Sequence, residues 1–151
     1  MFLSEITDDQ LESVFIKIDA VYKDGLIFRD LFTHSLLPSA FVSLDGKFEQ
    51  VNASFANMLG YTIKELETKS WMEVTRQDHI LPDLDKVEEC LYEELKSYKL
   101  FKIYLHKKSG DVPAVLVVTK VIIEGIDQFL SQVFPLGWIE EAYSLVHKKG
   151  H

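Results

Sequence analysis

Few residues of this chain have the type and spacing that an active site requires. The single cysteine, Cys90, lies beside the apolar side of a predicted helix, where a thiol is usually buried and unreactive. Among the five histidines, His79 and His106 are expected at the surface, and none has the spacing of a metal site. Asp83 and Asp85 flank a predicted helix start, where carboxylates stabilise the helix. We therefore predict no catalytic residue and no metal site.

The composition restricts the class of protein further. A chain of 151 residues, 47% of them hydrophobic, is long and apolar enough to fold as one domain. Its net charge of −8 and pI near 5.1 disfavour nucleic acids and anionic membranes as partners, because both bind clustered Lys and Arg. No apolar run approaches the roughly 18–20 residues that span a bilayer, and a lone cysteine is typical of a reducing compartment. We expect a soluble, cytoplasmic protein.

An amphipathic helix is predicted at the N-terminus. Thr7 and Gln10 have the spacing of a capping box. The apolar residues that follow at steps of three and four are Leu11, Val14, Ile18 and Val21. This stripe either packs on the sheet of its own chain or pairs with a second copy, since such steps keep a seam facing a partner. The flanks are mostly acidic, so we expect a dimer of moderate affinity that salt strengthens.

The rest of the chain predicts an α+β fold. Asp45-Gly46 is a hairpin turn signal, and Asn52 is a helix N-cap; we expect both segments to be structural. The predicted strands are 40–44, 47–51, 100–107, 113–123 and 128–134. The predicted helices are 28–37, 53–59, 62–66, 71–74, 82–98 and 138–147. This order predicts a five-stranded antiparallel sheet with short helices on one face, preceded by the N-terminal amphipathic helix.

Several short sequence motifs, in the order in which they occur along the chain, resemble those of the PAS domain, a family of sensor and interaction modules. The segments 41–55, 58–66 and 70–75 resemble its opening hairpin and the helices after it, and 98–118 resembles its late hairpin. The resemblance spans about 31–134. It implies an N-terminal helix over 1–27, a PAS domain over 28–136, and a short C-terminal helix and tail over 137–151. Phe134-Pro-Leu-Gly stands where most sensor PAS domains end in an Asp-Ile-Thr-like triplet.

The resemblance also bears on cofactors. Relatives that bind flavin and form an adduct place a reactive cysteine where this chain has Trp71, and a glutamine near Val133. Relatives that bind haem usually ligate the iron through a histidine on the long helix, and 82–98 contains none. We therefore expect neither flavin nor haem.

The resemblance further implies a hollow between sheet and helices. The wall residues it assigns are Val42, Leu44, Met58, Trp71, Phe101, Ile103, Phe129 and Val133. All are apolar, so a ligand there would be held mainly by burial. The alternative is that these side chains fill the hollow themselves.

The expected function is a signal-sensing or protein-interaction module that acts by dimerisation or by docking a partner, with a small apolar ligand optional. A small α+β enzyme is one alternative, and it would need a carboxylate or histidine pointing into the hollow. A structural adaptor that never binds a ligand is the other.

Overall fold

The structure is a computed structural model that describes residues 7–14, 16 and 26–149. Its contacts divide the chain into two compact units, Met1–His34 and Ser35–His151. Two residues of the predicted N-terminal stripe, Ile18 and Val21, lie outside the described residues.

The described residues of the first unit include the helices α1 over 8–14 and α2 over Leu26–His34. The predicted capping box is present in α1: the Thr7 amide donates to Oε1 of Gln10 at 3.0 Å, and the Gln10 amide donates to Oγ1 of Thr7 at 3.2 Å. Leu11 and Val14, the described residues of the stripe, are both exposed.

The second unit is built on one antiparallel sheet, as the sequence predicts. Its strands are β1 Ser39–Ser43, β2 Phe48–Val51, β3 Ser97–His106, β4 Gly110–Ile123 and β5 Ile126–Pro135. They lie in the order β2-β1-β5-β4-β3, so the nearly continuous apolar run of β4 is an interior strand, where such runs are usual. Gly46, with φ of +96°, makes the predicted turn between β1 and β2.

Short helices connect the two halves of the sheet. They are α3 Ala53–Leu59, α4 Ile63–Leu66, the 3-10 turns Trp71–Val74 and Gln77–His79, and α5 Ile80–Leu91. Oδ1 of Asn52 accepts the Phe55 amide at 2.9 Å, and Thr62 forms a full capping box with Glu65. A last helix, α6 Leu136–Lys149, follows β5.

The predicted long helix over 82–98 is too long. The helix α5 ends at Leu91, and Glu93 has a φ of +63°, a value that cannot continue a right-handed helix. Tyr98, expected on the helix, belongs instead to β3. The prediction of a longer helix rested on the spacing of apolar residues alone, and this spacing continues past the end of α5.

The core lies between the sheet and the helices α3 to α5. Phe55 on α3 is fully buried and meets Phe48 and Tyr104 edge to face, with ring centroids 5.4 and 6.2 Å apart, an arrangement that aromatic pairs prefer. No helix in the described part of the chain has both the length and the hydropathy needed to cross a bilayer.

Candidate functional site

A small hollow lies inside the core, between the sheet and α5. Its volume is about 20 Å³, which is room for about one water molecule. Most of the wall is aliphatic or aromatic. The polar side chains that line it are Asp83, Tyr98, Lys102, Tyr104 and Ser131.

A buried ion pair forms the polar part of this wall. Nζ of Lys102 on β3 donates to Oδ2 of Asp83 on α5 at 2.8 Å, and the Tyr98 hydroxyl donates to Oδ1 at 2.7 Å. The Lys102 and Asp83 side chains are only 2% and 3% exposed. Both carboxylate oxygens of Asp83 therefore accept a hydrogen bond, and the ion pair links α5 to β3.

The local structure explains why these side chains meet. Asp83 lies in the first turn of α5, where the positive end of the helix dipole favours a carboxylate. Tyr98, Lys102 and Tyr104 are separated by even numbers of residues along β3, and such residues point to the same face of a sheet. That face is the one that α5 covers.

Two aromatic rings complete the surroundings of the lysine. Nζ of Lys102 lies 4.6 Å from the ring centroid of Trp71 and 4.5 Å from that of Tyr104, within the range of cation–π attraction. Trp71 is held against the β1–β2 turn, because its amide donates to the Gly46 carbonyl at 3.0 Å. The ammonium group thus has one carboxylate and two ring faces around it.

Burial shifts the pKa values of the lysine and the tyrosines in this cluster. It lowers the pKa of Lys102, although the Asp83 carboxylate opposes the change. Burial also raises the pKa of Tyr98 and of Tyr104, and the negative charge of Asp83 adds to both shifts. Among the described residues every buried side-chain nitrogen and oxygen has a hydrogen-bond partner. The carboxylate and the ammonium group of this cluster therefore have partners within the protein.

The structure brings together only part of the wall predicted from the sequence. Val42, Trp71 and Phe129 line the hollow. Val133 is fully buried in the surrounding core, and Met58 is partly buried against it.

The other three predicted wall residues are not in the wall. Leu44 lies in the turn after β1 and is 37% exposed, Phe101 is 50% exposed, and Ile103 is half-buried outside the hollow. The alternation that placed Phe101 and Ile103 together is real, but their side of β3 does not face the hollow. A shift of one residue in parity exchanges the two faces of a strand completely.

The expectation of an entirely apolar wall is therefore wrong. The expectation fails because the face of β3 that carries Lys102 lines the hollow, and because Asp83, expected only to stabilise a helix start, also lines it. Tyr98, Leu100 and Tyr104, which alternate with the residues of the other face, are the signal in the sequence that this face of β3 is buried.

Cys90 and the histidines considered for chemistry do not line this hollow. Cys90 is fully buried, and burial raises the pKa of its thiol, so little reactive thiolate forms. The histidines expected at the surface are half-buried: His79 lies edge-on to Phe101 with centroids 5.9 Å apart, and Nδ1 of His106 accepts the amides of Lys108 and Ser109. Within the described residues no three His, Cys, Asp or Glu side chains form a metal site.

Comparison with known proteins agrees with this architecture. No protein-family model matches the chain. It is 29% identical over 94 residues to the probable diguanylate cyclase DgcE of Escherichia coli, a match covering 62% of this chain and 8% of that protein.

Solved structures resemble the chain over most of its length. The PAS domain of an HTR-like protein from Haloarcula marismortui superposes with a TM-score of 0.62 at 20% identity, covering 79% of this chain and 97% of that one. A domain of a sensory box sensor histidine kinase/response regulator from Geobacter sulfurreducens gives 0.61 at 13% identity, with 74% and 95% covered. The PAS domain of the fruit-fly ELK potassium channel gives 0.59 at 14% identity, with 76% and 96% covered. The chain has the PAS fold.

Proposed function

We propose that this chain is a signal-sensing and protein-interaction module that acts by self-association or by docking a partner, and that it is not an enzyme. The observation that carries the proposal is the number of large apolar side chains left exposed on the sheet strands. These side chains are Phe101, Ile122, Ile126 and Phe134. Exposed apolar surface of this kind marks interaction sites. The similarity to part of a probable diguanylate cyclase and to a domain of a sensor histidine kinase supports a role in signalling.

Side chains fill most of the hollow, so a ligand is an optional part of this proposal. A ligand larger than a water molecule would enter only if a wall residue moved. It would combine an apolar body with one polar group placed against Asp83 and Lys102. Flavin and haem are not part of the proposal, because the Trp71 ring occupies the wall of a hollow of about 20 Å³.

The acidic character of the chain supports protein partners over nucleic acids and anionic membranes. The lone buried thiol of Cys90 favours the cytoplasm as its compartment.

The enzyme alternative required a carboxylate in the hollow, and Asp83 is one. Its two oxygens accept from Lys102 and Tyr98, and these bonds hold the carboxylate toward groups of the protein. A general base must reach the proton that it abstracts. The geometry therefore supports a structural role for Asp83 over a catalytic one.

Self-association is tested by light scattering and sedimentation of the purified protein over a range of concentrations and at two salt concentrations. We expect a dimer that forms as the concentration rises. Ile18→Asp, which would place a charge within the stripe that the sequence predicts at the N-terminus, should weaken a dimer that uses this stripe and leave the protein folded. A wild-type protein that stays monomeric under all these conditions contradicts self-association.

Cofactor content is tested by absorption spectroscopy and native mass spectrometry of protein expressed in a host replete with flavin and haem. We expect a colourless protein. A chromophore bound in stoichiometric amount would overturn this part of the proposal.

A further inference from the structure

A histidine side chain closes the turn between β3 and β4. Nδ1 of His106, the last residue of β3, accepts the backbone amides of Lys108 at 3.0 Å and of Ser109 at 3.1 Å. Side-chain oxygens of Asn, Asp and Ser usually make such bonds in turns. An imidazole nitrogen accepts a hydrogen bond only while it carries no proton. The observed turn therefore requires a neutral ring with its proton on Nε2.

The same ring packs against the end of α3. It lies next to Gly60, the residue that caps this helix, since a Cβ added at Gly60 would come within 2.3 Å of Cε1 and 2.5 Å of Nε2 of His106. The Lys107 amide donates to the Leu59 carbonyl at 2.9 Å. Glycine at position 60 thus leaves the space that the imidazole fills, and the turn contacts α3 through both its side chain and its backbone.

The charged groups around the ring give a proton on it no direct partner. The helix α3 has no charged side chain. On α4 the Glu65 carboxylate accepts from Nζ of Lys107 at 2.7 Å, and on β4 the Asp111 carboxylate accepts from an arginine at 3.0 Å. Lys108 adds a second positive charge to the turn. Within the described part of the chain no carboxylate forms an ion pair with His106.

We propose that His106 is a pH-sensitive latch, which holds the β3–β4 turn closed on α3 while its ring is neutral and releases the turn when the ring is protonated. Histidine is the side chain that ordinarily changes its charge between about pH 5 and 8. A proton on Nδ1 points at two backbone N–H groups, so both hydrogen bonds to this nitrogen are lost together. The latch is therefore lost as the pH falls. It lies outside the hollow and needs neither a ligand nor a second copy, so it goes beyond the proposed function.

Release changes the contacts that the turn makes with its neighbours. Besides its bonds to Leu59 and Glu65, Lys107 places Nζ 5.6 Å from the ring centroid of Tyr61. These contacts depend on the position of the turn, so opening the turn moves Lys107 away from α3 and α4. Acidification thus weakens the contact between the β3–β4 hairpin and the helices beside it.

An NMR titration of the purified protein from about pH 8 to about pH 5 tests the latch. At the upper end the nitrogen chemical shifts of His106 should show an unprotonated Nδ1. As the ring is protonated, we expect the hydrogen-exchange protection of the Lys108 and Ser109 amides, corrected for the intrinsic pH dependence of exchange, to fall about ten-fold or more, since two hydrogen bonds are lost. Protection of these two amides that does not change while His106 is protonated overturns the inference.

Two variants separate His106 from other titrating groups. Asparagine has an amide oxygen where histidine has Nδ1, so His106→Asn keeps an acceptor that does not titrate. We expect the amides of Lys108 and Ser109 to stay protected in this variant over the whole pH range. His79→Gln removes a second half-buried histidine and should keep the wild-type pH dependence. A His106→Asn variant that loses protection with pH as the wild type does overturns the latch, and the wild-type titration remains decisive if either variant fails to fold.

Discussion

Replacing Lys102 by methionine tests whether the buried ion pair stabilises the fold. Methionine has a similar length and fills similar space, so the main change is the loss of the ammonium group. The Asp83 carboxylate then keeps only the Tyr98 hydroxyl as a partner. Breaking a buried ion pair in this way costs about 3–5 kcal/mol. This is a large share of the roughly 5–15 kcal/mol by which domains are stable.

The double variant Lys102→Met, Asp83→Asn separates the cost of an unpaired charge from the loss of packing. The asparagine oxygen still accepts the Tyr98 hydroxyl, and no buried charge remains. We therefore expect the double variant to be more stable than Lys102→Met alone by about 2 kcal/mol or more, since neutral replacement of a buried pair is often tolerated.

Urea unfolding at neutral pH measures these differences, provided that the slope against urea concentration stays constant. The matched control is Lys107→Met, because Nζ of Lys107 lies 2.7 Å from Oε2 of Glu65 in an exposed pair. Exposed pairs contribute little, so this variant should unfold nearly as the wild type does. If Lys102→Met were as stable as the control, or if the double variant were no more stable than Lys102→Met, the ion pair would not be the strong constraint that its burial implies.

Three further predictions concern single positions in the second unit. Asn52→Ala should destabilise by about 2–3 kcal/mol in urea unfolding, because Asn52 caps α3 and also bonds buried backbone groups of β1 and the preceding segment. Gly60→Ala should lower the melting temperature more than Gly110→Ala: both have positive φ, but only at Gly60 would the new Cβ lie 2.3 Å from the His106 ring. The pKa of Glu65 is lowered to about 2 by its lysine partner and a cap amide. The stability difference between wild type and Glu65→Gln, which is small because the pair is exposed, should therefore be complete above pH 4.5 and disappear as the pH falls toward 2.

The elements that the sequence predicts well are those with local signals. The hairpin turn at Gly46, the cap at Asn52 and the capping box at Thr62 each depend on residues at most a few positions apart. A side chain that bonds its neighbouring backbone does so wherever the segment lies in the fold. The order of helices and strands followed from these signals, and with it the fold class.

The local sequence does not contain the information needed to predict which face of each strand is buried. Along β3 both alternating sets are largely apolar, and the one charged residue of the central part, Lys102, lies on the buried face. Only the position of Asp83, distant in sequence by 19 residues, makes a lysine acceptable there. A buried charge is tolerated where its partner is supplied, and that partner is set by tertiary structure. The sequence therefore predicted Val42, Trp71 and Phe129 around the hollow but not its charged pair.

Because side chains alternate along β3, the strand has one side facing the hollow and the other side facing away from it. Lys102 faces the hollow, while its neighbours Phe101 and Ile103 point to the other side of the strand, and Phe101 is exposed. A strand cannot shift or rotate at one residue without moving the next, because successive side chains share one pleated backbone. Any group that entered the hollow and displaced Lys102 from Asp83 would thus act on two elements together. It would loosen α5, and it would move the strand that carries Phe101. Lys102 is thus the residue of β3 at which a group in the hollow would meet the strand that carries Phe101.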